Sequence, residues 1–453
     1  MKVTGAIGAV LLTLLLTGSS WSQGASEPLT LEESIRIALE RNLGLHSAKE
    51  GAIGAEFTRK SARAGFFPKL TGQYGWSWLG TPISIGTQSV LSTPRDPLPD
   101  GGAATTTVTI PQTTRYTFSM NGAFNQPIYS GGAISANYRS AKLGLEISKT
   151  NVETTKLNIV LAVRQGYFSI LRAEKFVEVA KQAVKQFEGQ LEISRAYFEV
   201  GLIPKNDVLQ AEVNLANAMQ AKVKVENDLA VAKANFNSLL RREMDTPLEI
   251  VDILQYKPFP LSIEESIEEA LQQRPELKVA ALSVDQAKEG VKITRSGMLP
   301  SVNLFGNYFR NSDEVFLNGD LKSDRWSISA LATLTIWDWG NVYYQVGASK
   351  VKVTQAADAK TQLRENIVLE VKDDYLFMQV SEKNIDTASK AIEQAEENLR
   401  LNEERYKYQV ATAFDVLNAV TLLAQARVNY YGALSDFNVA KANLERAMGR
   451  MYP

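Results

Sequence analysis

The sequence has no cysteine and a single histidine, His46, among its 453 residues. Lack of cysteine excludes a disulfide framework, a thiolate metal site, a cysteine nucleophile and a lipidated N-terminal cysteine; one imidazole cannot furnish a two-histidine site. An excess of charge of either sign is also missing. With 49 Lys and Arg against 50 Asp and Glu, the net charge of -1 leaves no global field to draw in nucleic acid or anionic lipid. Gly-rich phosphate loops, nucleophile elbows and HExxH motifs are absent, so an enzyme would have to run on carboxylates, lysines or tyrosines. No cofactor and no metal are expected. At roughly 150 residues per soluble domain the length suggests about three domains, a count that fails for an elongated chain.

Long apolar runs are confined to the N-terminus. Lys2 precedes a charge-free stretch from Val3 to Leu16, followed by small and polar residues from Thr17 to Ser26, the three-part pattern of a secretory signal peptide. The run is shorter than the roughly 20 residues of a bilayer-spanning helix. Residues 1–25 therefore read as a signal peptide, cleaved between Ser22 and Ser26. The rest has no transmembrane helix and can enter a membrane only as strands. An exported chain without cysteine fits a bacterial envelope.

What the sequence does contain is one unit twice. Leu29-Thr-Leu-Glu-Glu-Ser-Ile35 returns as Leu261-Ser-Ile-Glu-Glu-Ser-Ile267, and Leu45 and Pro68 match Leu277 and Pro300. Further along the offset shortens: Gly132 matches Gly340, Asp207-Val-Leu209 matches Asp415-Val-Leu417, and Val231-Ala-Lys-Ala-Asn235 recurs at Val439 to Asn443. The first repeat, 26–258, thus holds an insertion that the second, 259–453, lacks. The Thr, Pro, Gly and Ser-rich stretch from about Gly80 to Thr114 reads as that insertion, a long exposed loop.

Each repeat carries two alternating runs. Leu70, Gly72, Tyr74, Trp76 and Trp78 interleave with Thr71, Gln73, Gly75 and Ser77; Tyr116, Phe118, Met120 and Phe124 do the same with Thr117, Ser119, Asn121 and Asn125. Strands are expected at 70–79, 115–126, 301–310 and 325–336, about the length of a tilted strand crossing a bilayer. A soluble hairpin with one buried face shows the same alternation; Trp and Tyr near the strand ends and the export signal favour lipid. Four strands leave two free edges, and unpaired backbone groups in hydrocarbon cost several kcal/mol each. Closure then requires further copies around a cyclic axis, with the polar positions facing a lumen.

Elsewhere the pattern is helical. No proline occurs from Ala133 to Glu199, which predicts a helix at 133–199 of roughly 100 Å and its twin at 341–408. Val177, Ala180, Val184, Phe187, Leu191, Ser194 and Phe198 step by three and four, as do Ile385, Ala388, Ile392, Ala395, Leu399, Asn402 and Tyr406, giving two coiled-coil seams. Shorter helices are expected from His46 to Phe66, at 206–242 and at 414–449.

The Leu-Thr-Leu-Glu-Glu-Ser-Ile opening, Pro68-Lys-Leu70 before a strand, Pro127-Ile-Tyr-Ser-Gly-Gly132, Ile336-Trp-Asp-Trp-Gly340 and Phe198-Glu-Val-Gly-Leu-Ile203 ahead of Asp207 together resemble the TolC family of outer-membrane efflux proteins, across essentially the whole mature chain. The resemblance implies a homotrimer in the bacterial outer membrane: a mixed α and β fold, with a 12-stranded β-barrel continued into the periplasm by an α-helical coiled-coil barrel. It implies an exit duct for a tripartite pump or type I secretion system, not an enzyme, partnered by a periplasmic adaptor and an inner-membrane transporter.

The breaks between long and short helices away from the strands are the expected tunnel tips. By resemblance, Gly201, Leu202, Ile203 and Pro204, with Val410, Ala411 and Thr412, receive the adaptor, while Asp207, Asp415, Asn418 and Tyr406 belong to the aperture. Gln409 and Val410 depart from the family's Val-Gly turn, and Ala411 stands where an arginine can join the closing network. Asn418 replaces a possible second acid. Asp207 and Asp415 read equally as helix caps or as an aperture ring whose mutual repulsion raises its pKa values. Trp337 and Trp339 read as packing or interface anchors and His46 as a surface residue. Two other classes are a periplasmic coiled-coil scaffold, which leaves the strands unexplained, and a carboxylate glycosidase, which needs two acids converging in a cleft.

Overall fold

A computed structural model describes residues 28–78, 80, 88–92, 104–108, 116–319 and 323–451. The signal segment 1–25 lies outside them. Helices α1 (Leu31–Arg41) and α2 (Leu43–Ala64) lead into strand β1 (Lys69–Trp78). Strands β2 (Gln88–Ser92), β3 (Ala104–Val108) and β4 (Tyr116–Ser130) follow, then helices α3 (Ala133–Glu199) and α4 (Lys205–Leu239). The second repeat gives α5 (Ile263–Gln273), α6 (Pro275–Arg295), β5 (Ser301–Ser312), β6 (Ser323–Thr333), α7 (Asn341–Lys407) and α8 (Ala413–Ala447).

Several elements depart from the sequence expectation. The single short helix is two, because Asn42 takes an extended backbone and its side chain accepts from the Leu45 N-H, capping α2. Arg274 and Pro275 make the same break between α5 and α6, proline fitting the first helical turn. Among the described residues of the insertion, β2 and β3 pair antiparallel, where a loop is expected from the sequence. Strand β4 continues past 126 to Ser130 by shifting register between Pro127 and Tyr129, since proline has no N-H for the ladder. Strand β6 ends at Thr333 instead of 336 because its ladder with β5 ends there, Thr333 lying opposite Ser301, the first residue of β5.

The main sheet has the order β1-β4-β5-β6, antiparallel throughout, so β4 and β5 join the two repeats. Register places Leu70, Tyr74, Trp76 and Trp78 opposite Phe124, Met120, Phe118 and Tyr116. Tyr308 then faces Trp326, and Gly306 faces Ile328. One apolar face results, and Leu70, Tyr74, Trp76, Trp326 and Ile328 on it are exposed. A soluble sheet would bury such a row. Among the described helices none is long and apolar enough to cross a membrane.

Each 67-residue helix is about 100 Å long. It starts from a glycine in the left-handed region, Gly132 at φ +86° and Gly340 at φ +79°, where a side chain would be strained. Helix α3 packs against α2, α4, α6 and α8; the main partners of α7 are α5, α6 and α8. At mid-length Tyr167, fully buried beside Phe236, Ile170 and Leu171, anchors one core with Leu31, Leu45 and Leu254. A second core under α5 gathers Ile367, Val371, Phe437 and Leu444. Between them buried Arg274 bonds Glu276 and Glu370 at 3.2 and 2.5 Å, and Arg446 bonds the same two acids at 3.0 and 2.9 Å. That charge network ties α6, α7 and α8 together, and the remaining Arg446 Nε-H donates to Asn158 Oδ1 on α3 at 3.0 Å.

Candidate functional site at the helical tips

Both long helices end far from the sheet in the same hydrogen-bonded turn. After α3, the Gly201 N-H donates to the Phe198 carbonyl at 3.0 Å and the Leu202 N-H to the Tyr197 carbonyl at 2.8 Å, with Gly201 at φ +77°. After α7, the Gln409 N-H donates to Tyr406 at 3.0 Å and the Val410 N-H to Arg405 at 2.8 Å, with Gln409 at φ +60°. Two hydrogen bonds satisfy the last carbonyls in each case. The departure at Gln409 therefore changes the side chain and the local strain while the backbone shape of the two tips stays alike. Leu202 and Val410 are both exposed at the apex, as are Gly201, Pro204 and Thr412, while Ile203 and Ala411 are half-buried.

The two aspartates begin their helices differently. Thr412 and Asp415 form a reciprocal capping box: the Asp415 N-H donates to Thr412 Oγ1 at 3.3 Å, and the Thr412 N-H donates to Asp415 Oδ2 at 2.8 Å. That backbone donor, then the Thr412 hydroxyl, hold the Asp415 carboxyl below the usual aspartate range. Within one protomer the shift is thus opposite to that expected from ring repulsion. At the matching place Pro204 has neither an N-H nor a side-chain oxygen, and α4 starts without a side-chain cap. Asp207 is left half-buried in the first turn, while Asp415 and Asn418 are exposed on α8.

Tyr406 is enclosed by the helices that meet at this tip. It is 4% exposed, packed with Phe187, Leu191, Val208, Val416 and Leu417. Its hydroxyl is 3.5 Å from Ser194 Oγ, and the Tyr197 ring lies 5.4 Å away between centroids. Burial first, and then the charge of Asp207, hold the Tyr406 hydroxyl above the ordinary phenol range. Tyr197 takes the inward place that the seam assigned to Phe198, which is exposed. Gln190, buried, donates to Ser194 at 3.5 Å. A cavity of about 500 Å³ opens beside these groups, lined by Lys185, Gln190, Tyr197, Glu403, Tyr406 and Lys407 among others.

The fold thus brings Tyr406 and Asp207 together with Ser194, Gln190 and Tyr197 and sets Asp415 and Asn418 apart from them. Ser194 and Gln190 were not singled out from sequence as site residues. Ser194 is a polar residue at a seam position of an apolar stripe, and Gln190 lies one turn before it, beside the seam residue Leu191. Trp337 and Trp339 stack edge to face at 5.9 Å at the strand-to-helix junction, both largely exposed, and His46 is exposed on α2. No cluster of three or more acidic or histidine side chains able to hold a metal occurs among the described residues.

The sequence pattern of the outer membrane efflux protein family matches residues 34–240 and 266–450, one span in each repeat. The outer membrane protein TolC of Vibrio cholerae is 27% identical over 309 residues, 66% of this chain and 69% of its own. The outer membrane efflux protein BepC of Brucella suis is 20% identical over 443 residues, 98% of this chain and 90% of its own. In fold, the crystal structure of the Campylobacter jejuni CmeC outer membrane channel superposes with a TM-score of 0.76 at 18% identity, over 99% of this chain and 94% of that one. With both repeats matched, an exposed apolar sheet and a fold shared with outer-membrane channels, the chain belongs to the outer membrane efflux protein family and resides in the outer membrane.

Proposed function

We propose that three copies of this chain form a passive duct from the periplasm to the exterior, gated at the helical tips. The observation that carries this reading is the sheet: four antiparallel strands with an exposed apolar face and two free edges, β1 and β6. Because directions alternate along β1-β4-β5-β6, β6 of one copy runs antiparallel to β1 of the next, and three copies supply a closed barrel of 12 strands. Closure removes the edges that hydrocarbon cannot solvate. The row with Thr71, Gln73, Asn121 and Ser327 then lines the lumen.

The long helices carry the passage into the periplasm. Exposed Leu202 and Val410 at the tips, with Gly201, Ile203, Pro204, Ala411 and Thr412, make the docking surface for a periplasmic adaptor, which couples the duct to an inner-membrane transporter. Asp207, Tyr406, Asp415 and Asn418 set the aperture. Transport needs no bond chemistry in this chain, and substrate choice rests with the transporter. A scaffold confined to the periplasm has no use for the exposed apolar strands.

Native mass measurement in detergent tests the assembly: a trimer is expected, and a stable monomer with inserted strands overturns it. Leu202→Asp and Val410→Asp are expected to abolish export while trimer and membrane insertion persist. Full export by both variants removes the tips from the adaptor interface.

A further inference from the structure

The duplication preserves strand register as well as sequence. In the first hairpin Lys69 lies opposite Asn125 and Trp78 opposite Tyr116. Carried to the matching residues of the second repeat, that pairing reads Ser301 opposite Thr333 and Arg310 opposite Asp324, which is the register β5 and β6 adopt. The repeats are then joined by β4 and β5, with Asn121 opposite Phe309, Gly122 opposite Tyr308, and Phe124 opposite Gly306. One pairing of the duplicated pattern has no counterpart inside the chain, that of β6 with β1.

Resting on the three-copy reading, we infer that β6 of one copy pairs with β1 of the next in the register of β4 on β5. Ser329 then lies opposite the partner's Ser77, Ala330 opposite the partner's Trp76, Ala332 opposite the partner's Tyr74, and Trp337 opposite the partner's Leu70.

Side-chain sizes fit this register. Within the chain the join sets a large ring against glycine twice, at Phe124 on Gly306 and Tyr308 on Gly122; a Cβ on Gly306 would fall 2.0 Å from the Phe124 ring. The transposed join sets Trp76 and Tyr74 against alanines and Trp78 against Ile328, the one large pair among these three rings. A slip of one residue would turn the polar row of one strand onto the apolar face of the other. One of the two-residue slips would set Trp78 against Trp326 and Trp76 against Ile328, two large pairs among the same rings where the transposed join has one.

The helices show the same missing partner. Helix α3 buries residues from Ala136 to Ser194 because α6 and α8 of the other repeat pack on it, whereas α7 leaves Tyr343, Tyr344, Leu369 and Leu376 exposed. Transposing the Arg139–Glu289 contact of α3 with α6 sets Gly347 against the partner's Phe57. The Phe57 ring is exposed in the single chain, and a Cβ on Gly347 would meet nothing within 4 Å.

The absence of cysteine makes the test clean. The double variant Ser77→Cys with Ser329→Cys, oxidised in outer membranes, is expected to give a covalent trimer on a non-reducing gel. Its yield should exceed that of the diagonal pairs, Ser77→Cys with Ser327→Cys and Ser77→Cys with Leu331→Cys, by at least about five-fold, because diagonal neighbours lie beyond disulfide reach. Trp76→Cys with Ala330→Cys provides the same reading on the opposite face. Stronger cross-linking by a diagonal pair overturns the register and leaves the trimer standing. If no pair cross-links in a protein whose native mass is that of a trimer, the β1–β6 seam is wrong. A monomeric native mass removes the three-copy reading itself.

Discussion

The hydroxyl of Tyr167 donates to the carbonyl of Val251 at 2.7 Å and reaches that of Leu29 at 3.1 Å, pinning two extended segments that bridge through Leu29 and Ile250 to the middle of α3. Its ring is fully buried, and burial pushes the phenol up to about 12. Tyr167→Phe keeps the packing and removes the hydroxyl donor from the half-buried Val251 carbonyl, while the Leu29 carbonyl keeps the Val251 N-H, so it is expected to cost about 1 kcal/mol. Its twin Tyr375 is half-buried and 3.3 Å from the Leu261 carbonyl, so Tyr375→Phe should cost less. Denaturant midpoints of the two variants check the ordering.

Gln409 occupies the left-handed place that Gly201 fills at the other tip. Gln409→Gly relieves that strain and is expected to be neutral or to stabilise the tip by up to about 1 kcal/mol, whereas Gly201→Gln imports the strain and costs a similar amount. Hydrogen exchange of the amides around each turn reports the effect locally.

Asp415 and Asp207 should contribute unequally to the aperture. In the proposed three-copy assembly each acid recurs three times around one axis; a narrow entrance there would amplify their potential, so that entrance is expected to prefer cations modestly. The Thr412 donors lower the Asp415 pKa, so its cap contribution is present above the usual aspartate value and is lost as pH falls through the lower folded one. Asp415→Ala is expected to reduce cation selectivity and blockade by a trivalent cation in planar bilayers. Asp207→Ala should reduce them less, since Asp207 is half-buried next to Tyr406. Unchanged selectivity in both variants would leave the acids as helix-start residues alone.

Asp374, on α7 one turn beyond Glu370, is the acid that its surroundings treat worst. Burial, then repulsion from Glu370 and Asp373, pushes its carboxyl up to about 6 despite Arg446 and Arg274 nearby. A carboxyl raised on folding binds more protons folded than unfolded between its unfolded value and about 6, so ionising it costs stability as pH rises through that window. Asp374→Asn is expected to raise the thermal midpoint at pH 7.5 by a few degrees, with the gain shrinking toward pH 5 and vanishing below pH 4. An equal gain at all three pH values would rule out titration as its origin.

Local chemistry made much of this protein legible. A proline-free run from Ala133 to Glu199 makes a continuous helix because nothing in it breaks the i to i−4 ladder, and alternation from Leu70 to Trp78 makes a strand because its side chains have period two. Matching residues between the halves disclosed the duplication, and Asp415 three residues after Thr412 has the spacing of a capping box. The Asn42 break was also written locally, as an N-cap residue ahead of Leu43.

Other features were decided by segments far apart in sequence. Pairing of β4 with β5 spans the two repeats, and alternation fixes which face a residue takes but not which strand lies beside it. Tyr406 is buried where Ser194 and Tyr197 of the other repeat pack against it, and the buried charge of Arg274 is held by Glu370 of α7 in addition to its near neighbour Glu276. Periodicity is a property of one element, so the sequence by itself determined the helices, the strands and their apolar faces. Burial and ion pairing depend on what packs against an element, so the tertiary structure decided which polar residues are enclosed and which helix faces and strand edges are left uncovered in the single chain.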